Sequence, residues 1–197
     1  KKGAKYVVSS KKIKKYGRRI IKVKNEISFL NKFAKFKRQQ SSAKIIAITG
    51  SAGKTSLKNL IRELLQNYKK TYSSPKSFNN HFGVPISLSN LSVGDKYGIF
   101  EVGMSKAGEI RDLSKLIQPH IAIITNIGEA HIENFKNING VAKAKAEIID
   151  NIEENGTIIL NRDDRFFRYF YHKAKLKKIK IVTFGKNKNS DVYPLSI

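Results

Sequence analysis

The sequence predicts an α/β protein built on a doubly wound, mainly parallel sheet. Apolar runs that read as buried strands, at 44–49, 97–102, 120–125, 156–160 and 179–184, alternate with helical patterns at 54–68, 108–117, 140–152 and 163–174. Such alternation places helices on both faces of a parallel sheet. Glycine, proline or asparagine punctuates most of the joins. The first strand-to-helix join carries a glycine turn that runs straight into Lys54 and Thr55. Ligands of these sheets bind beyond the carboxyl ends of the strands, so the residues there are the functional candidates.

The first forty residues stand apart from that alternation. Tyr6–Ser9 and Ile20–Val23 are short strand candidates around a basic turn containing Gly17. Asn25 is placed to cap a helix that begins at Glu26, with Ile27, Leu30 and Ala34 on one face. Gln39–Ser42 is a polar linker. Two strands and a helix cannot bury a core alone. Residues 1–25 are therefore expected to be the C-terminal tail of a preceding domain, and 26–43 a connecting helix and linker. Residues 44–197 form the central domain, incomplete at its C-terminus, because Ser190–Ile197 reads as a strand cut short.

The central domain opens with the β-branched run Ile45–Ile48, the turn Gly50-Ser-Ala-Gly53, Lys54 and Thr55. A helical pattern follows, with Leu57, Leu60, Ile61, Leu64 and Tyr68 on one face. Glycines let backbone N–H groups turn toward an anion, and the helix N-terminus adds the positive end of its dipole. Lys54 would reach the terminal phosphates and the Thr55 hydroxyl would sit on magnesium. The sheet is thus expected to be of the P-loop nucleoside-triphosphatase type. The motif is a shortened one, since Ile48 stands where the commoner form has glycine.

Later strands end on marked residues. Glu101 closes Tyr97–Val102, and a carboxylate in an apolar run is costly without a cation. Magnesium shared with Thr55 is the natural partner. Gly103–Gly108 is a loop before the next helix. Ile121–Asn126 runs into Ile127-Gly-Glu-Ala-His131, where His131 could contact metal or phosphate; His81, His120 and His172 carry no such assignment. In the helix from Gly140, Val141, Ala144, Ile148 and Ile152 define an apolar face. Lys145 falls within it and Lys143 opposite. A lysine there needs a partner, a lowered pKa, a modification, or a stem that snorkels to solvent.

Four blocks give the chain a family resemblance: Thr49–Thr55; Asn79-Asn-His-Phe-Gly-Val-Pro85; Glu101–Met104 with Gly108–Ile110; and Thr125–His131 followed by Ala142–Ile148. Together they resemble the ATP-dependent Mur ligases of peptidoglycan precursor synthesis and their folylpolyglutamate synthetase relatives. The Asn79-Asn80 block resembles the branch that adds D-alanyl-D-alanine to UDP-N-acetylmuramoyl-tripeptide. The resemblance implies an amide ligase working through an acyl phosphate, with ATP and Mg2+ as cofactors. It assigns Gly50, Ser51, Ala52, Gly53, Lys54, Thr55, Asn80 and Asn126 to the nucleotide. It assigns Thr55, Glu101, His131 and Lys145 to metal, with Lys145 carbamylated, and Lys54, Glu101, His131 and Lys145 to catalysis. It also makes the preceding domain the binder of the UDP substrate. Another ligase of the superfamily, such as the meso-diaminopimelate- or lysine-adding enzyme, is the alternative within the class.

Composition bounds the rest. The 197 residues carry a formal net charge of +24 and no cysteine, so no disulfide framework is expected. Residues 1–44 hold 16 of the 39 Lys and Arg residues against one acid, Glu26. A basic nucleic-acid-binding P-loop ATPase is the rival from another class. The basic stretch lacks a zinc-finger pattern, an RNP-type aromatic motif and an RGG run. The charge reads instead as the bias of a chain also rich in Ile and Asn, and no specific nucleic-acid partner is expected. No apolar run approaches the roughly 18 residues of a membrane span, and no signal peptide is visible. A cytoplasmic, monomeric protein is expected.

Overall fold

The computed structural model describes residues 3–130 and 132–195. Near the N-terminus, β1 (Val7–Ser9) and β2 (Ile20–Lys22) pair in parallel. Between them runs a 3-10 segment kinked at Gly17, whose φ is 44°. Helix α1 (Glu26–Gln39) begins where expected: the Asn25 side chain accepts a bond from the Ser28 amide at 2.8 Å. Far from being a loose spacer, α1 lies on the sheet's helical layer. Arg38, buried near its end, donates to the carbonyls of Ile117 and Gln118 at 2.7 and 2.8 Å.

Six parallel strands form the main sheet: β3 (Lys44–Thr49), β4 (Thr71–Ser73), β5 (Tyr97–Glu101), β6 (Ile121–Ile124), β7 (Thr157–Asn161) and β8 (Lys180–Phe184). Their order is β4-β5-β3-β6-β7-β8. The five strands expected from sequence are present, with ends displaced by at most one residue. Every residue of β3 after Lys44 is buried, as a central parallel strand covered on both faces requires.

The helices are α2 (Lys54–Gln66), α3 (Gly83–Ser89), α4 (Glu109–Ile117), α5 (Ile138–Lys145) and α6 (Phe167–Leu176). The period-2 alternation of β3 splits the core in two. Ile46 and Ile48, with Ile99 and Ile123, meet α2 through Leu57, Ile61 and Leu65. Ile45 and Ala47 point into the larger cluster with Ala34, Leu88, Ile110, Val141 and Phe170 from the other helices. The doubly wound expectation is met: among the described residues, α2 covers one face and the other five α-helices the opposite one.

Four local expectations change. The inward row of α2 is Leu57, Ile61 and Leu65, while Leu60, Leu64 and Tyr68 are exposed. Both rows belong to one broad apolar arc, and the sheet contacts only one edge of it. The helix expected over 140–152 is α-helical only to Lys145 and tightens to a 3-10 turn over Ala146–Asn151. In that turn the Glu147 carboxylate accepts bonds from the Gly108 and Arg111 amides at the start of α4. The final helix starts at Phe167 rather than 163, because Asp164 uses its carboxylate in a local turn with the Phe166 amide and accepts the Ile127 amide. Strand β4 and helix α3 were not anticipated. β4 has three residues, and α3 carries Pro85 in its first turn, where proline is tolerated.

Candidate active site

The central β3 leads into the site. Its backbone turns at Gly50, whose φ of 149° places the chain so close to β6 that a Cβ there would lie 1.9 Å from Thr125 Oγ1. The loop is latched to the segment after β6. The Ser51 amide donates to the Asn126 carbonyl at 2.9 Å, and the Ala52 amide to Asn126 Oδ1 at 3.0 Å. Thr125 Oγ1 donates to the Ala52 carbonyl at 2.7 Å, and the Gly128 amide to Ser51 Oγ at 2.8 Å. Asn126 therefore holds the loop in shape, and two of the loop's amides are engaged by it. Gly53, with φ 79°, then starts α2, whose first-turn amides have no helical acceptors of their own.

Two lysines converge on the turn. Lys54 Nζ donates to the Gly50 carbonyl at 2.8 Å, and Lys145 Nζ, from the end of α5, donates to the same carbonyl at 3.1 Å. Lys145 is 1% exposed, while Lys143 is exposed, as the helix phase predicts. Burial, with the neighbouring Lys54 charge, pushes the Lys145 ammonium down to about 7. Burial also lowers Lys54, against the pull of Glu101.

Across the sheet, Glu101 ends β5 beside β3 and is 2% exposed. Its Oε2 accepts the Thr55 hydroxyl at 2.7 Å, and its Oε1 accepts Asn79 Nδ2 at 2.8 Å. The segment between β4 and α3 is clamped over it. Ser74 Oγ accepts the Glu101 amide, and the Asn79 carbonyl accepts the Gly103 amide. A Cβ at Gly103 would meet the Asn79 side chain at 2.9 Å, so that residue has to be small. Asn80, by contrast, turns its Oδ1 to the Phe82 and Gly83 amides and caps α3. A cleft of about 510 Å³ opens here, lined by Lys54, Asn79, Ser105, Lys106 and Lys145 among others.

Thr55 and Glu101 offer one hydroxyl and one carboxylate at the mouth of the Gly50–Thr55 turn. That donor set fits magnesium, which completes its shell with phosphate oxygens and water rather than an all-protein cage. Among the described residues, no group of three or more His, Cys, Asp or Glu gathers to hold a metal ion on its own. His131 lies outside the described residues.

Sequence reasoning missed two residues that the structure brings to Glu101. Asn79, not only Asn80, touches the site. Lys58 is 1% exposed, with its ammonium 3.9 Å from Glu101 Oε2 and bonded to the Lys76 carbonyl. Helix arithmetic puts Lys58 about 100° from Leu57, at the edge of the inward row beside Leu65, so only the packing of α2 against β5 brings it to Glu101.

A glycine turn between β3 and α2 at the switch point of a parallel sheet, with a hydroxyl–carboxylate pair beside it, is the architecture of the P-loop class. Residues 48–196 match the Mur ligase middle domain, and the chain belongs to the Mur ligase family. It is 40% identical over 186 residues to a UDP-N-acetylmuramoyl-tripeptide–D-alanyl-D-alanine ligase of Rickettsia prowazekii, a match covering 93% of this chain and 41% of that protein. Among solved structures it is similar to MurF from Acinetobacter baumannii, with a TM-score of 0.87 and 31% identity over 96% of this chain and 41% of that one. A MurF ligase from Thermotoga maritima in complex with ADP gives a TM-score of 0.83 at 28% identity, covering 96% of this chain and 43% of that one. The chain thus spans about two fifths of the length of these relatives.

Proposed function

We propose that this chain is the ATP-binding part of an amide ligase that joins D-alanyl-D-alanine to UDP-N-acetylmuramoyl-tripeptide. The observation that carries the reading is the Thr55–Glu101–Asn79 cluster at the mouth of the Gly50–Thr55 turn, since Asn79 belongs to the block that favours this branch. The likeness to ligases of that name and to an ADP complex supports it. Residues 1–25 are then the tail of the UDP-substrate domain, 26–43 the connection, and 44–197 the central domain. The protein works as a cytoplasmic monomer.

In this reading the first-turn amides of α2 and Lys54 hold the ATP phosphates. Thr55 and Glu101 hold magnesium, which when bound offsets charge on the phosphate oxygens. His131 and a carbamylated Lys145 would support a second metal. Asn126 acts through the loop it fixes, and Asn80 through α3. The tripeptide carboxylate attacks the γ-phosphorus, releasing ADP and leaving an acyl phosphate. The dipeptide amine then attacks the acyl carbon, phosphate leaves, and the amine's proton passes to solvent. Asn79 keeps Glu101 aimed at Thr55.

The test is Lys54→Ala in full-length protein, with ligation followed by ADP release and product mass. Loss of one preorganised charge contact predicts a fall in turnover of roughly 10²–10³-fold, with little change in melting temperature. Wild-type turnover in a folded variant would refute the assignment.

A further inference from the structure

Lys58 is not needed to explain phosphate binding, yet it is buried against the proposed metal carboxylate. It lies one helical turn after Thr55, on the same side of α2. Its ammonium sits 3.9 Å from Glu101 Oε2, the oxygen that also accepts the Thr55 hydroxyl. It bonds as well to the carbonyl of Lys76, a residue held at φ 46°. The turn around Lys76 leads to Ser77, 3.4 Å from Thr55 Oγ1, and to Asn79 on Glu101 Oε1. A buried carboxylate or ammonium alone is costly, and these two offset each other.

We infer that Lys58 is a tethered counter-cation for Glu101, which makes binding of a divalent cation at Thr55 and Glu101 depend on the nucleotide's phosphates. The inference rests on the ATP-site reading above. Without phosphates, a divalent cation at Glu101 meets the Lys58 ammonium at the same carboxylate oxygen. Just beyond the end of the neighbouring β3, Lys54 at the start of α2 adds positive charge at the Gly50 carbonyl. Repulsion between like charges this close is strong where water is excluded. The phosphates of a nucleoside triphosphate reverse that balance, so the metal enters as its nucleotide complex. Lys58 is thus a positioning residue: it keeps Glu101 aimed at Thr55 and the 74–79 segment seated until that complex arrives.

The experiment uses full-length protein and manganese as the probe. Free Mn2+ binding is read by electron paramagnetic resonance without nucleotide, and Mn2+–ATP binding by calorimetry. The variants are Lys58→Met and, as a control on a surface lysine, Lys143→Met. Wild type and Lys143→Met should bind Mn2+–ATP and bind free Mn2+ poorly. Lys58→Met should bind free Mn2+ at least about 10-fold more tightly, a gain of about 1.4 kcal/mol, and Mn2+ should raise its melting temperature more than that of wild type. Unchanged or weaker free Mn2+ binding by Lys58→Met overturns the inference. Failure of wild type to bind Mn2+–ATP instead overturns the ATP-site reading. If Lys58→Met does not fold, the Lys58→Met/Glu101→Gln double variant decides. Recovery of the fold supports the counter-charge role, and continued unfolding assigns Lys58 to packing and refutes it.

Discussion

Lys145 concentrates the tension between stability and chemistry at a single residue. Its ammonium is buried, shares the Gly50 carbonyl with Lys54, and titrates near 7. Nothing in the packing around Val141, Ala144 and Ile148 asks for a charge there. A residue that costs folding energy and points under the turn proposed to hold phosphate is best explained by what it does to the ligand. Lys145→Ala in full-length protein should therefore lose most ligation at saturating ATP, whereas Lys143→Ala should stay near wild type, as a solvated surface residue would. If Lys145 is carbamylated as the resemblance implies, a short carboxylate in the buffer should restore part of the lost turnover. Damage from Lys143→Ala, or none from Lys145→Ala, would remove Lys145 from the machinery.

The start of β3 is pinned at the end of the sheet opposite the site. His120 Nδ1, at the entrance to β6, accepts the Ile45 amide at 2.9 Å. That bond needs an imidazole unprotonated at Nδ1. Burial lowers its pKa, nearby Arg38 and Lys44 lower it further, and Glu153 opposes them. With the folded value below the unfolded one, the unfolded chain takes up the proton first. Stability from this group is intact above the unfolded value of about 6.5 and is lost as pH falls from there through the lower folded value. The melting temperature of His120→Gln should thus gain on that of wild type as pH drops from 7.5 to 5.5. A difference that stays constant across that range would refute the assignment. What could be read from sequence at this scale follows the same physics. Long apolar runs marked the central strands, and the Asn25 cap and the phase of Lys145 followed from helix geometry alone. Strand β4 and helix α3 depend on pairing with β5 and packing under α1, which no local pattern encodes. Asn79 and Lys58 escaped notice because their roles exist only once β5 lies beside α2.

At the scale of the molecule, the question is what a net charge of +24 does. Exposed cations are spread over separate elements: Lys11, Lys12, Arg18 and Arg19 near β1 and β2, Lys32 and Lys35 on α1, and Arg168 and Lys175 on α6 with Lys177 just past its end. A reader of nucleic-acid sequence presents its cations along one face with side chains that reach base edges. Here the face rich in contacts for a ligand is the cleft of Lys54, Lys106 and Lys145. Dispersed charge still attracts any polyanion, through phosphate neutralisation and counterion release. The protein should therefore bind duplexes of unrelated sequence with equal affinity in anisotropy titrations, and lose roughly 10³-fold or more between 50 and 200 mM salt if several phosphates are contacted at once. Lys54→Ala should leave that binding unchanged while abolishing the response to ATP, because the two ligands use different surfaces. A sequence-selective complex that survives physiological salt would instead restore the nucleic-acid reading of the basic N-terminal stretch.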